Sequence, residues 1–223
     1  MKKNPEAGLL ARCGWLRVDG RQQEALALLA SAPESLPILI LRVEIYNELG
    51  DLDNVLLCCE HARNFGAPPA LLFIQGFTLM QIGRERDAIA VFDRLSEIQP
   101  DYPNAAWIRA GLIRQIHGDQ HPDTLTAYET VLTLDPDNLF VRVEYADILR
   151  GHGRYVEARE IYEAVFTSEA CPEEALRVEA AFNLGCVALV MEDSTAAHAA
   201  FRFVLDAAPD YPDAQAMHDL TTI

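Results

Sequence analysis

Lysine is almost missing from this chain: Lys2 and Lys3 stand at its start, and every other basic side chain is an arginine. Eighteen basic residues face 34 acidic ones, which leaves a formal net charge of -16 and a pI near 4.6. No clustered cationic patch remains to displace counterions from phosphates, so no nucleic-acid partner is expected. The five cysteines, Cys13, Cys58, Cys59, Cys171 and Cys186, are odd in number and lack both a CxxC pair and zinc-ligand spacing. Reduced thiols in a cytoplasmic protein are the simplest account. Long apolar runs are missing too. Nothing approaches the ~20 residues of a membrane span, so no membrane insertion is expected. In LLARC (residues 9–13) Arg12 stands where a lipoprotein cleavage site needs a small residue, which argues against a lipid anchor. No GxSxG, no Walker-type loop and no serine, histidine and acid arrangement occurs, so neither catalysis nor a cofactor is expected.

What is present is a period. The 223 residues, half of them hydrophobic, suffice for a substantial core. LFIQGFTLMQIGRERDAIAVFDRLSEIQP (residues 72–100) aligns without a gap on RVEYADILRGHGRYVEAREIYEAVFTSEA (residues 142–170). In both, a small residue (Gly76, Ala146) precedes a glycine (Gly83, Gly153), an alanine follows (Ala88, Ala158), and then an aromatic (Phe92, Tyr162). Leu184, Gly185, Ala197, Phe201 and Pro209 repeat the pattern with Glu192 in the glycine slot. Trp107, Gly111, Gly118, Tyr128 and Pro136 repeat it again, with one extra turn residue and Thr124 for the alanine. Degenerate copies precede these, around Gly20, Ala25 and Leu29 and around Tyr46, Gly50, Val55, Cys59 and Ala62. Near the end, PDYPDAQAMHDL (residues 209–220) echoes PDYPNAAWIRAG (residues 100–111).

The chemistry of each slot is that of a helical hairpin. Gly76, Gly111, Ala146 and Gly185 on first helices, with Ala88, Ala158 and Ala197 on second helices, are expected to let the paired helices approach. Phe92, Tyr128, Tyr162 and Phe201 are expected to fill the space between units. A glycine between the helices ends the first one in a left-handed conformation. GHGRYVEA (residues 151–158) therefore reads as a turn, with Tyr155 packing at the start of the next helix, and not as a phosphate loop, which needs a preceding strand.

The pattern resembles the tetratricopeptide repeat, a helix-turn-helix unit. The resemblance implies an all-α, right-handed superhelical α-solenoid in a single domain. Its repeats would span about residues 6–35, 36–68, 69–102, 104–138, 139–172 and 178–211, with a capping helix over 212–223 whose Ala214, Met217 and Leu220 face inward. It also implies that first helices line a concave face where a peptide or helix is held by the second, fifth, ninth and twelfth residue of each repeat. Those offsets fall on Ala70, Phe73, Phe77 and Met80, then on Ala105, Ile108, Leu112 and Gln115. They continue on Phe140, Val143, Asp147 and Arg150, and on Glu179, Phe182, Cys186 and Leu189. Most are apolar, the composition of a groove for a hydrophobic or helical client, with Asp147 and Arg150 as its polar interruption. The same composition also fits a face covered by the chain itself or by a second copy.

Other clusters have plainer readings. His117 and His121, with Asp119 and Asp123, fall in the lengthened turn of the fourth repeat rather than at helical spacing, so no metal is expected. Cys58 and Cys59 are adjacent on a second helix and point to different faces, with core packing expected for at least one. Glu157, Glu160 and Glu163 suit a solvated convex face. The basic and asparagine set with which some members of the family grip a C-terminal carboxylate is missing, and Asn183 alone does not replace it.

Two functions of different class follow. One is a protein-binding adaptor or chaperone holding an apolar client segment, as acidic bacterial secretion chaperones of this repeat type do. The other is an architectural subunit of a larger assembly, secretion or pilus-related, acting through its ends or convex face, with homo-oligomerisation open.

Overall fold

The computed structural model describes residues 5–102, 104–168, 171 and 173–221. Lys2, Lys3, Pro103 and Ala170 lie outside the described residues. Among the described residues the secondary structure is helical throughout, without strands. The chain falls into two compact units, Met1–Ala105 and Ala106–Ile223.

The first unit pairs α1 (Pro5–Val18) with α2 (Gln22–Ala30), α3 (Leu36–Leu49) with α4 (Leu52–Ala62), and α5 (Pro69–Gln81) with α6 (Glu85–Ile98). A single 3-10 turn, Arg63–Phe65, follows α4. The second pairs α7 (Ala105–His117) with α8 (Pro122–Leu134), α9 (Leu139–Gly151) with α10 (Tyr155–Phe166), and α11 (Glu174–Val190) with α12 (Ser194–Ala207). The short α13 (Ala214–Leu220) then packs on α12.

The hairpin turns explain the glycine slot. At Gly153 (φ 73°) the N–H donates to the Arg150 carbonyl at 3.0 Å, and the Arg154 N–H reaches back to the Leu149 carbonyl at 2.9 Å. This pair of hydrogen bonds satisfies the orphan carbonyls of α9 and requires a left-handed residue at the turn. GHGRYVEA is thus a helix stop. The same two bonds close the turn at Glu192, to Leu189 at 3.1 Å and from Asp193 to Ala188 at 2.9 Å, although its φ is 59°. A side chain there is strained. Glu192→Gly is therefore expected to raise stability by about 0.5–1 kcal/mol, read as a higher urea midpoint at constant slope.

The fourth hairpin is built differently because of its extra residue. Its glycine, Gly118, bonds to the Arg114 carbonyl at 2.7 Å, and the longer loop is held by Arg114 Nε on Asp119 Oδ1 at 2.6 Å. Thr124, fully buried, donates its hydroxyl to the Gly118 carbonyl at 2.8 Å. That bond accounts for a threonine where the sister hairpins carry alanine.

Close approach of paired helices is real at two of the expected glycines. A Cβ on Gly76 would lie 2.8 Å from the Phe92 ring, and one on Gly185 would lie 2.7 Å from the Phe201 ring. Gly111 departs from the expectation, since a Cβ there meets nothing within 4 Å. The buried hydroxyl of Tyr128 engages Arg114 and Glu144 instead, and burial pushes its pKa up to about 12.

Each unit ends on the same device. The ring of Tyr102 stacks on Phe73 at 5.2 Å, and Phe73 meets Phe92 edge-on at 6.0 Å. In the second unit Tyr211 packs on Phe182 at 4.9 Å, and Phe182 meets Phe201 edge-on at 5.7 Å. Asn104 and Asp213 then turn the chain with φ of 61° in both, and deliver Ala105 and Ala214 to buried positions. So α13 starts as the first helix of a further hairpin starts. Its Met217 packs against the cluster of Ala188, Ala197 and Phe201, but Leu220, expected on the inner side, is 59% exposed because the helix ends there.

Candidate functional site

The first helices carry the expected groove residues, and burial separates them into three sets. Phe77 on α5 is 45% exposed and Phe140 on α9 is 37% exposed, and Gln115 on α7 is also exposed. These are surface side chains, and among the described residues neither the Phe77 nor the Phe140 ring takes part in the aromatic stacks that hold Phe73 and Phe182. Met80, Ile108, Cys186 and Leu189 are half-buried. Phe73 and Phe182 are also half-buried, but the aromatic stacks commit them to packing.

Three expected groove positions are corrected, the first being Ala105 at the start of α7, which is 2% exposed. Val143 is 1% exposed and packs with Ala146, Leu149 and Tyr162 in the core, and Leu112 is 3% exposed. Position nine of the fourth repeat and position five of the fifth point inward here, so neither side chain is available to a ligand.

The second unit concentrates charge on this face. Phe140, Glu144 and Asp147 stand at i, i+4 and i+7 of α9, one helical face. Trp107 on α7 donates its indole N–H to Glu144 Oε2 at 2.7 Å. The Tyr162 hydroxyl donates to Asp147 Oδ1 at 2.6 Å, and the Arg150 guanidinium reaches the same carboxylate at 3.5 Å. Burial first, and the Asp147 carboxylate second, hold the Tyr162 phenol protonated far above its ordinary range. From α11, Glu179 joins the group: partial burial raises its pKa, and the negative charges of Asp147 and Glu144 add to the rise. Tyr211 and Cys186 are raised as well, each by burial above all, with Glu179 the next cause for Tyr211. The result is a group of carboxylates on α9 and α11, with the exposed Phe140 on the same face of α9.

The other candidate clusters lie in a hairpin turn, in the core and on an exposed helix face. The His117 and His121 rings stack at 4.5 Å, and His121 Nδ1 accepts the Asp123 N–H at 3.2 Å at the start of α8. Among the described residues no group of three or more His, Cys, Asp or Glu is arranged to hold a metal ion. Cys58 and Cys59 are both buried, and burial pushes the Cys59 thiol up to about 12. Glu157, Glu160 and Glu163 are exposed on α10. No described helix is long and apolar enough to cross a membrane.

No family model matches the chain, and no curated protein matches it by sequence. Solved structures do. A tetratricopeptide repeat protein from Parabacteroides merdae is 20% identical with a TM-score of 0.52, over 99% of this chain and 86% of that one. YrrB, described as a TPR protein with an unusual peptide-binding site, is 13% identical with a TM-score of 0.67, over 83% and 92%. MamA from Desulfovibrio magneticus RS-1 is 16% identical with a TM-score of 0.64, over 81% and 98%.

The chain has the tetratricopeptide-repeat fold.

Within that fold the sequence reading missed two members of the site. Trp107 marked the repeat, but its bond to the next first helix was not foreseen. Glu144 lies at position six, outside the transferred offsets. Its signal was the helical spacing from Phe140, a single turn away.

The tetratricopeptide-repeat scaffold bears the charge of Glu179 at a cost. A carboxyl whose folded pKa lies above its unfolded value destabilises the fold when ionised; the penalty is absent below the unfolded pKa and complete above the folded one. Glu179→Gln is therefore expected to melt higher than wild type at pH 7. The difference should close as pH falls to about 4, the ordinary glutamate range. Parallel thermal melts at both pH values read this directly. A constant difference across pH contradicts the electrostatic origin.

Proposed function

We propose that the chain is a non-enzymatic protein-interaction module, an adaptor or chaperone-like array of six hairpins and a terminal helix. It holds a helical or extended apolar segment of a client protein on its first helices. The supporting observation is the pair of exposed aromatic rings, Phe77 and Phe140, at positions that the fold presents on those helices. The peptide-binding site named for YrrB lends the same reading a precedent in a neighbour of this fold.

A random twelve-residue peptide library displayed on phage, selected on the full chain, tests the reading. Enriched peptides, resynthesised with a fluorescent label, should bind wild type and lose affinity for Phe140→Ser or Phe77→Ser. Both residues are exposed, so neither substitution should unfold the chain. Peptides indifferent to both changes, or no enrichment, would refute the groove.

The alternative is an architectural subunit that acts through its ends. Trp15 at 59% and Val18 at 86% exposure on α1 favour it. Sedimentation of wild type beside Trp15→Ser separates the two, since only the architectural reading ties self-association to α1.

A further inference from the structure

The short helix α13 is too brief to be stable by itself, so its place on α12 is set by what docks it there. We propose that this docking is an acid-released latch. A pair of histidines, His198 on α12 and His218 on α13, holds α13 down while neutral and lets it go when both rings are protonated, baring an apolar end of the second unit. The inference goes beyond the groove reading and does not depend on it.

The two rings meet across the helix pair with centroids 4.4 Å apart and planes tilted by 38°. Thr221, directly after α13, ties them together. Its N–H and its hydroxyl both donate to the His218 carbonyl, at 2.9 and 2.6 Å, and its side-chain oxygen lies 3.0 Å from His198 Nδ1. A hydroxyl has one hydrogen to give, and the carbonyl takes it, so the proton of the remaining bond comes from His198 Nδ1. His198 is therefore the Nδ1–H tautomer, and a further proton goes to Nε2.

Histidine is the side chain that changes charge between about pH 5 and 8. Docked, the pair accommodates one such charge, because Asp219 stands 3.9 Å from His218 Nδ1. The second charge finds no such neighbour. Asp206, two turns along α12 from His198, and Asp213, at the far end of α13 from His218, are both exposed. Arg202, one turn from His198, is itself positive, and burial keeps Cys186 of α11 and Tyr211 as neutral thiol and phenol. Two imidazolium rings at this separation repel, whereas on an undocked α13 the two charges are solvated apart. The released form takes up more protons, so falling pH favours it.

When α13 leaves, Met217 is withdrawn from the cluster of Ala188, Ala197 and Phe201, on which Cys186 and Leu189 also pack. The apolar surface of the sixth hairpin grows accordingly. His117 and His121 supply a control: they stack as closely, at 4.5 Å, but span a single hairpin turn, where repulsion has no docked helix to release.

Hydrogen exchange of the full chain, read by mass spectrometry at about pH 7.5 and about pH 5.5 and corrected for the intrinsic rate, tests the latch. Protection of the α13 amides should fall about tenfold or more in acid, with α9 unchanged. His198→Phe keeps a ring in the stack and removes its charge, so its α13 should hold the same protection at both pH values within about twofold. His117→Phe should behave as wild type. The dye anilinonaphthalene sulfonate should brighten on wild type in acid and not on His198→Phe.

Equal α13 protection of wild type at both pH values overturns the inference, as does an acid response that survives in His198→Phe. If His198→Phe leaves α13 open at both pH values, His218→Phe decides. Protection there at both pH values sustains the latch; an open α13 there too shows that imidazole bonding rather than charge holds the helix, and overturns it. Loss of protection without dye binding marks fraying in place, and an equal loss in α9 marks a general softening in acid; each overturns the latch as well.

Discussion

Phe73→Ala is expected to lower stability by about 2–3 kcal/mol, while Phe77→Ala, one turn further along the same helix, changes it by less than about 0.5 kcal/mol. Both phenylalanines occupy positions that the repeat offsets assign to the groove, and both are equally hydrophobic. Their surroundings differ. The Phe73 ring is sandwiched by Tyr102 at 5.2 Å and Phe92 at 6.0 Å, and its removal leaves a void beneath the turn that ends the first unit. Phe77 is 45% exposed, and its truncation surrenders little buried surface. Urea unfolding followed by circular dichroism reads the difference as a shift in midpoint at constant slope. Peptide binding should show the reverse order, since the exposed ring is the one available to a client. Equal stability losses would mean that Phe77 is covered and the groove closed; no loss at Phe73 would mean that the aromatic stack carries no load.

The repeat was legible because its constraints are local and recur. A left-handed turn residue, a helix spaced for a buried face and an aromatic at a fixed distance each leave a mark in sequence, and Gly153, Ala158 and Tyr162 carry all three. Even Glu192 could be placed, since its neighbours kept register. The face on which side chains end was legible only in part. Offsets carried over from the fold put Val143 on the groove, whereas it sits in the core with Tyr162 and Ala146. A helix of nearly continuous hydrophobicity such as α5 gives little periodic contrast, so sequence alone does not fix its rotation. Leu112 on α7 is likewise buried where an exposed position was expected. Charge was the least legible. Glu144, Asp147 and Glu179 stand up to 35 residues apart in sequence, and their mutual influence follows from packing α11 against α9. Asp147 looked like a free polar interruption of the groove; it is bound to Tyr162, and Glu179 is the member left without a partner.

Gly111→Ala is expected to add stability and Gly185→Ala to add none or to lose it, although the repeat pattern gives both glycines the same slot. In the middle of a helix, alanine for glycine gains about 1 kcal/mol from backbone entropy and propensity. Gly111 has open space where the Cβ goes, so the variant should keep that gain as about 0.5–1 kcal/mol of added stability. At Gly185 the new methyl would stand 2.7 Å from two atoms of the Phe201 ring. That ring is fully buried and is also in edge contact with Phe182 at 5.7 Å, so it has nowhere to retreat without disturbing the Tyr211 stack. Overpacking of this kind costs about 1–3 kcal/mol, which cancels or exceeds the helix gain. Gly76, at 2.8 Å from the Phe92 ring, should follow Gly185. Paired urea titrations of the three variants decide the matter by sign alone. Stabilisation at Gly185 would show that the aromatic of the second helix rests loosely on the first, and that the small residue in this slot is not there to admit the ring. Destabilisation at Gly111 would show the converse for the fourth hairpin, whose Tyr128 is held instead by the polar grip of Arg114 and Glu144.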